Sequence, residues 1–162
     1  MDKEKHPSKK KSHAQTFRAC VGAIILGKKR KVLSFERKDI PGAWQLPQGG
    51  LDENESPLEA VEREILEETG IQSCDLKLLS TAPRLLAYEL PKEARTKKLG
   101  RGQVQYWFLF QFTGQEEAIT LGNKKEFRAW KWMSLSKLSE KVVSFKQPLY
   151  HELAKDFKTY LK

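Results

Sequence analysis

Cysteine and long apolar runs are what this sequence has least of. Cys20 and Cys74 are the two cysteines among 162 residues. They are too few for a disulfide scaffold and follow no metal-ligand spacing, so we expect reduced, packed thiols in a cytoplasmic protein. No run of about 18 apolar residues is present, which argues against a membrane-spanning helix. The N-terminus is charged and lacks the apolar core of a signal peptide.

Acidic residues are the minority among the charged side chains. The chain has 30 Lys and Arg against 21 Asp and Glu, a net charge of +9. Such a surplus would steer a polyanionic ligand toward the protein. Residues 1–15 are rich in lysine and nearly free of aliphatic side chains, which predicts a disordered basic arm. Residues 16–162 show no repeat or linker and predict a single domain with a substantial core.

Apolar patterning predicts strands separated by turns. The predicted strands cover residues 17–26, 32–35, 76–82, 85–90, 103–112 and 127–133. The first two form a hairpin in this interpretation, and 103–112, the most aromatic, lies centrally in the sheet. Leu149, Leu153 and Phe157 at steps of four predict an amphipathic C-terminal helix. This order predicts an α/β (α+β) sandwich with a mixed β-sheet flanked by helices.

One helix is specified in unusual detail, directly after Gly49-Gly50. Ser56 is a good N-cap, Glu59 completes a capping box and Pro57 suits the first helical position. Gly70 suits the residue just past the C-terminus. The helix also carries an apolar stripe expected to dock on the core, formed by Leu58, Val61 and Ile65.

Acidic side chains gather on another side of the same helix. Glu64, Glu67 and Glu68 are related by i, i+3 and i+4 steps, roughly 110° from the apolar stripe. Like charges stacked in this way repel, so the helix would not gather them for its own stability. A bound divalent cation usually compensates such repulsion, and hard carboxylate oxygens are suitable ligands for Mg²⁺.

The spacing across residues 49–71 resembles the Nudix box, Gly-x5-Glu-x7-Arg-Glu-U-x-Glu-Glu-x-Gly-U, where U is a bulky aliphatic residue. Every constrained position is met, by Gly49, Glu55, Arg63, Glu64, Ile65, Glu67, Glu68, Gly70 and Ile71. The resemblance implies a Nudix-type α/β/α sandwich. It also implies metal-dependent hydrolysis, with Mg²⁺ or Mn²⁺, of a diphosphate linkage in a nucleoside diphosphate joined to another group.

The resemblance also implies roles for the residues of this box. Glu64, Glu67 and Glu68 are expected to hold the metal, and one of them could also act as the base. Arg63 is expected to contribute to catalysis with Glu67 and Glu68. Arg63 and Glu55 are expected to do so by bracing the loop and helix rather than by touching the water. Gly49 and Gly70 are structural residues of the motif.

Two further stretches resemble one branch of the family. They are Trp44–Gly50 (Trp-Gln-Leu-Pro-Gln-Gly-Gly) and Val142–Lys146 (Val-Val-Ser-Phe-Lys). The branch contains RNA pyrophosphohydrolases and the related asymmetric diadenosine tetraphosphate hydrolases, and the likeness runs from about Phe17 to Phe157. It implies that Glu126 is a metal-reaching carboxylate outside the box and a candidate general base, the alternative being a solvent-exposed glutamate. Which carboxylate is the base stays open.

The same branch implies substrate-binding residues. Phe145 corresponds to a ring on which a base stacks, the alternative being a core residue, and Lys146 lies beside phosphates or the base edge. Tyr88 could donate its hydroxyl to a phosphate, and Arg18 and Arg37 match basic positions. Lys38 stands where the branch has a second consecutive arginine. A lysine cannot make the planar bidentate contact of a guanidinium, so a strong preference for the leading RNA bases is not predicted. The substrate-binding residues that the resemblance implies are therefore Arg18, Arg37, Lys38, Tyr88, Phe145 and Lys146.

Three functions are compatible with these features. The first is an RNA 5′-pyrophosphohydrolase that converts 5′-triphosphorylated RNA to a 5′-monophosphate and initiates mRNA decay. The second is an asymmetric dinucleoside polyphosphate hydrolase, which would use the same cleft. The third is an RNA-binding module without catalysis, which would be expected to break the box at Glu67 or Glu68, yet both are intact. Residues 92–101, with five cations and one glutamate, are either a solvated loop or a track for an RNA backbone.

Overall fold

A computed structural model describes residues 15–162 of the chain, and the predicted arm, apart from Gln15, lies outside the described residues. Within the described range the chain forms eight strands and four α-helices. The strands are β1 (Phe17–Leu26), β2 (Val32–Arg37), β3 (Trp44–Gln45), β4 (Gln48–Gly50), β5 (Leu76–Thr81), β6 (Leu86–Glu89), β7 (Gly102–Phe112) and β8 (Phe127–Met133). The helices are α1 (Pro57–Thr69), α2 (Leu135–Lys141), α3 (Gln147–Asp156) and α4 (Lys158–Leu161).

The strands form one mixed sheet. Its main path runs β3-β2-β1-β7-β5, while β4 pairs with β1, β6 with β7 and β8 with β2. Strands β1 and β7 are parallel, from Phe17 opposite Gly102 to Leu26 opposite Gln111, and the other pairs are antiparallel. The predicted hairpin of β1 and β2 and the interior position of β7, which contacts β1, β5 and β6, are confirmed.

Both faces of the sheet are covered. Alternate residues of β1 belong to two separate core clusters, Val21 and Ala23 to one and Ile24 to the other. The first cluster contains buried residues of α1, and the second contains those of α2 and α3. A strand buried on both faces reads as a continuous apolar run, which explains the sequence of β1. The predicted α/β sandwich is thereby confirmed.

Several expectations need correction. Leu58 is 37% exposed, and Ala60 joins Val61 and Ile65 in the core instead. The reason is that Leu58 lies in the first turn of α1, at the rim of a surface groove that also contains Leu85. Cys20 is buried as expected, but Cys74 is exposed because it lies in a short 3-10 turn between α1 and β5.

Four short elements were not predicted, namely β3, β4, α2 and α4. Strand β4 pairs antiparallel with β1, with Gly49 opposite Val21. Helix α2 is short and begins after Ser134, whose side chain accepts a hydrogen bond from the Lys137 amide. Across residues 15–162, no helix combines the length and the apolar character needed to cross a bilayer.

Candidate active site

Local capping positions the carboxylates of α1. The Ser56 hydroxyl accepts from the Glu59 amide at 3.2 Å, and the Glu59 carboxylate accepts from the Ser56 amide at 3.1 Å. The predicted capping box is therefore confirmed. At the other end, Gly70 has the left-handed φ of 77° that ends the helix, and its amide donates to the Leu66 carbonyl at 3.0 Å. These two ends determine where each acidic side chain lies along α1.

Strand β4 lies directly against the acidic side of α1. The Glu64 carboxyl group occupies the space that a Cβ atom at Gly49 would need, so glycine is required there by close approach. The Gln48 amide donates to Glu68 Oε2 at 3.2 Å. The glycine-rich segment thus packs on two of the box carboxylates.

Arg63 joins α1 to the loop that precedes it. Its Nε and Nη2 atoms donate to the two oxygens of Glu55 at 2.6 and 3.0 Å, and Nη2 also donates to the Gly50 carbonyl at 2.8 Å. Its Nη1 atom donates to Glu64 Oε1 at 2.8 Å. The Arg63 guanidinium lowers the pKa of Glu55, and Glu55 in turn raises the pKa of Arg63. These contacts are those expected of a bracing residue.

The four predicted metal ligands lie in one region. Glu64 and Glu68 are 3% and 2% exposed, and Glu67 is half-buried. Glu126, in the segment before β8, is exposed, and it lies near enough to Glu68 to influence the pKa of that carboxyl although 58 positions separate them in the chain. Burial first, and then Glu126 and Glu64, raise the pKa of Glu68 well above its usual value.

The chemistry of this donor set fits a divalent cation. Five carboxylates, counting Glu55, lie in the region, and the described cations in direct contact with them are Arg63 and Lys124. Burial, and after it the neighbouring carboxylates of Glu126 and Glu64, act against the charged form of Glu68, and a hard divalent ion bound there would stabilise that form.

The positions of the carboxylates nevertheless do not form a ready-made metal site. Within the described part of the chain, no three His, Cys, Asp or Glu side chains converge as they would around an ion. Lys124 Nζ lies between Glu64 and Glu67, at 2.6 and 2.7 Å from their Oε2 atoms. A cation bound by both carboxylates would have to take the place of this ammonium group.

A cleft of about 590 Å³ opens beside Glu126. Four cations are among its lining residues, which are Arg37, Lys38, Asp39, Gln45, Gln48, Leu99, Lys125, Glu126, Phe127 and Lys146. Arg37 is held by a forked contact with Asp39, at 2.9 and 2.7 Å. The Lys38 amide donates to the Glu126 carbonyl at 2.9 Å, which ties β2 to the segment that carries Glu126. The cleft can therefore accept a polyanion next to the acidic cluster formed by Glu64, Glu67, Glu68 and Glu126.

Of the other predicted substrate residues, Lys146 lines this cleft and Tyr88, Phe145 and Arg18 do not. Lys146 is buried with its Nζ 5.6 Å from the centre of the Tyr88 ring, and burial, then Arg37, lowers the pKa of Lys146 to about 8. Tyr88 is buried, which raises its pKa to about 12, and its ring centre is 5.9 Å from that of the half-buried Phe145. The Arg18 guanidinium packs over Gly50.

Sequence reasoning missed four polar residues of the site. Gln45 and Gln48 belong to the Trp44–Gly50 stretch, so the branch resemblance was a signal that could have found them. Lys124 and Lys125 precede Glu126 in the chain, and nothing in the local sequence indicates that Lys124 contacts α1.

The fold and the acidic helix agree with a match between residues 16–153 and the family model described as the NUDIX domain. The chain belongs to the Nudix family of hydrolases, which depend on divalent metal ions. An RNA pyrophosphohydrolase of Bartonella clarridgeiae is 40% identical over 165 residues, covering 92% of this chain and 94% of that protein. Nudix hydrolase 26, chloroplastic, of Arabidopsis thaliana is 39% identical, covering 96% of this chain and 76% of that protein.

Solved structures of low identity share the fold. The E. coli dihydroneopterin triphosphate pyrophosphohydrolase matches with a TM-score of 0.69 and 21% identity, over 86% of this chain and 97% of the other. An Ap4A hydrolase of C. elegans matches with a TM-score of 0.66 and 20% identity, over 88% and 98% of the two chains. The architecture is therefore the Nudix fold.

Proposed function

We propose that this protein is an RNA 5′-pyrophosphohydrolase that initiates mRNA decay. Hydrolysis of the bond between the α- and β-phosphates of a 5′-triphosphate end uses one water and leaves a 5′-monophosphate and pyrophosphate. The observation that carries the proposal is that Glu126, which lies near Glu68, also lines a cleft with four cations. Relatives at 40% and 42% identity over most of their length, both from Bartonella, are named RNA pyrophosphohydrolases.

The acidic cluster holds the metal in this proposal. Glu64, Glu67, Glu68 and Glu126 are the ligands, and Mg²⁺, with Mn²⁺ as a substitute, matches their hard oxygens. When bound, the ion neutralises charge on the phosphate oxygens and lowers the pKa of a water molecule. Arg63 keeps Glu64 oriented through the contacts to Glu55 and Gly50 described above.

Glu126 is the best-placed candidate for the general base. It lies on the cleft and comes from outside α1, so it approaches a phosphate from a different direction than the box carboxylates do. Its backbone is held by the hydrogen bond from the Lys38 amide. A base must lie within hydrogen-bonding reach of the proton that it accepts, and a position on the cleft wall would bring Glu126 close to a phosphate bound there.

The cleft cations bind the polyphosphate end. Arg37, Lys38, Lys125 and Lys146 surround the space beside Glu126 and offset the repulsion between its carboxylate and a phosphate. Phe145, half-buried beside Tyr88, supplies a ring for stacking of a base if the base lies against the back of the cleft. This stacking role, like the cytoplasmic location expected from the sequence, stays a prediction.

A specific feature favours RNA over a dinucleotide. Leu99, in the basic stretch 92–101, lines the cleft, so the stretch lies at its edge. Arg95 and Arg101 are paired with Glu89, whereas Lys97 and Lys98 are exposed. Exposed lysines at the edge of a phosphate-binding cleft can neutralise the backbone phosphates that follow the 5′ end of a polynucleotide. A dinucleoside polyphosphate has no such backbone.

The direct test is incubation with 5′-triphosphorylated RNA and Mg²⁺, scored by pyrophosphate release and by the appearance of 5′-monophosphorylated RNA. The same assay should include diadenosine tetraphosphate, capped RNA, a nucleotide sugar and free nucleotides. Absence of monophosphorylated product would overturn the proposal. A kcat/KM for the dinucleotide that greatly exceeds that for RNA would instead favour the asymmetric dinucleoside polyphosphate hydrolase.

Two substitutions test the metal assignment. Glu67→Gln and Glu68→Gln should each lower kcat by roughly 10³-fold, because each removes a carboxylate needed to hold the ion. Both variants should remain folded in EDTA, since the volume of the side chain is kept, so their loss of turnover would not be due to unfolding. Glu62→Gln, on the same helix, is the matched control and should retain activity. Near-normal turnover by both variants would disprove the assignment.

A further inference from the structure

Lys124 has a position that the proposed reaction does not explain. Its Nζ contacts the Oε2 atoms of Glu64 and Glu67 at 2.6 and 2.7 Å, so an ammonium group lies between two of the proposed metal ligands. The residue therefore serves as a counter-ion to the acidic helix.

The backbone that carries Lys124 is held at both ends of its loop. The Thr120 amide donates to the Thr69 carbonyl at 3.0 Å, and the Asn123 amide donates to the Glu67 carbonyl at 2.9 Å. On the other side, the Glu126 carbonyl accepts from the Lys38 amide at 2.9 Å. Because the loop is tied to α1 and β2, the flexible part of this contact is the lysine side chain, which is 34% exposed.

The second cation of the cluster is held differently. Arg63 makes a fork with Glu55 and also contacts the Gly50 carbonyl, so its guanidinium is fixed by several partners at once. Its distance to Glu67 is 3.4 Å, longer than the 2.7 Å of Lys124. An ammonium group is a compact charge on a flexible stem, whereas a guanidinium is a rigid fork. Lys124 is thus the cation that can leave without dismantling the loop.

We propose that Lys124 is an exchangeable internal cation of the active site, which holds Glu64 and Glu67 together and gives up its place to the divalent metal ion. This inference rests on the metal assignment in the proposed function. It has two consequences. The lysine competes with the metal and weakens its binding, and it offsets the mutual repulsion of the carboxylates whenever the metal is scarce.

The test is Mn²⁺ binding to the full chain without substrate, measured by electron paramagnetic resonance and calorimetry. Lys124→Met should bind Mn²⁺ about tenfold more tightly than the wild type, equivalent to ~1.4 kcal/mol. Lys125→Met removes the same charge from the same loop and is the matched control for long-range electrostatics. It should change the affinity by less than about twofold, because solvent screens charges that are not in contact. Lys124→Arg keeps the charge and should bind Mn²⁺ no more tightly than the wild type does.

Thermal unfolding gives a second measurement that does not depend on catalysis. In EDTA, Lys124→Met should melt at a lower temperature than Lys125→Met, and saturating Mn²⁺ should remove most of this difference. Equal Mn²⁺ affinities for the two methionine variants, or an equal melting temperature in EDTA, would overturn the inference while leaving the proposed function intact. Failure of the wild type and of every variant to bind Mn²⁺ would overturn both.

Discussion

The hydroxyl group of Tyr150 supports the segment that leads into the active site. Its oxygen accepts a hydrogen bond from the Leu46 amide at 2.8 Å, across 104 positions of the chain. Both residues are 0% exposed. The contact joins α3 to the residue two positions before Gln48, whose amide binds Glu68. Replacing Tyr150 by phenylalanine removes this acceptor and little else, since the two rings have nearly the same shape.

The expected cost follows from burial. A buried amide that loses its acceptor costs about 1–3 kcal/mol, and we take ~2 kcal/mol as the central value. For a domain of this size, each kcal/mol corresponds to about 2–4 °C in melting temperature, so Tyr150→Phe should melt about 4–8 °C lower. Burial raises the pKa of Tyr150, so its hydroxyl stays protonated and the effect should not vary with pH near neutrality.

Urea denaturation followed by tryptophan fluorescence measures this change. The midpoint should fall while the slope with urea stays constant, because the surface exposed on unfolding is unchanged. Tyr106→Phe is the matched control: Tyr106 is 37% exposed, and the substitution should change the free energy of unfolding by less than about 0.5 kcal/mol. A loss for Tyr150→Phe as small as that of the control would refute the reasoning and would mean that the Leu46 amide finds another acceptor.

Three further outcomes are expected. Burial and Arg37 lower the pKa of Lys146 to about 8, so its charge is present below that pH and lost above it; KM for triphosphorylated RNA should rise as the pH passes through this value, and the rise should be smaller in Lys146→Met. Because the pKa of Lys146 is lower in the folded chain than in the unfolded one, the unfolded chain binds more protons above about pH 8. The contribution of Lys146 to the free energy of unfolding should therefore increase as the pH rises above about 8. The double variant Lys97→Gln/Lys98→Gln should raise KM for RNA and reduce the salt dependence of RNA binding, as the slope of log K against log salt, by up to about 1.4, with no change for the dinucleotide. Equal effects on both substrates would show that the stretch is not an RNA track. Gly49→Ala should lower kcat, because its methyl group would displace the Glu64 carboxyl, and a variant with normal kcat and Mn²⁺ affinity would contradict this view of the glycine.

The parts of the fold that the sequence predicts correctly depend on few, neighbouring residues. The capping box of α1 needs Ser56 and Glu59, and its end needs Gly70, so these features are readable without knowledge of the tertiary structure. The strands are readable because a strand buried on both faces is a continuous apolar run. Leu58 was wrongly predicted to dock on the core. The spacing of apolar residues identifies a stripe along a helix, but it does not show which turns of the helix extend beyond the core.

The parts that were missed depend on distant contacts. Strand β4 contains two glycines, which have low strand propensity, and it forms because β1 supplies its hydrogen bonds. Lys124 is 60 positions from Glu64, and nothing near it in the chain indicates that contact. The relation of Glu126 to α1 came from resemblance to a family, since spacing within the chain does not reveal which carboxylate outside the box approaches Glu68.

The charge distribution of the site has a consequence for how its ligands bind. The acidic cluster would repel a polyphosphate, whereas the cations of the adjacent cleft, among them Arg37 and Lys125, would attract it. A divalent ion in the cluster removes the repulsion, and a polyphosphate in the cleft adds oxygen ligands for that ion. Each ligand should therefore raise the affinity for the other by the same factor, as linkage requires. A basic surface alone would bind RNA without metal, so it is the coupling between the two ligands that makes binding selective for a phosphorylated end.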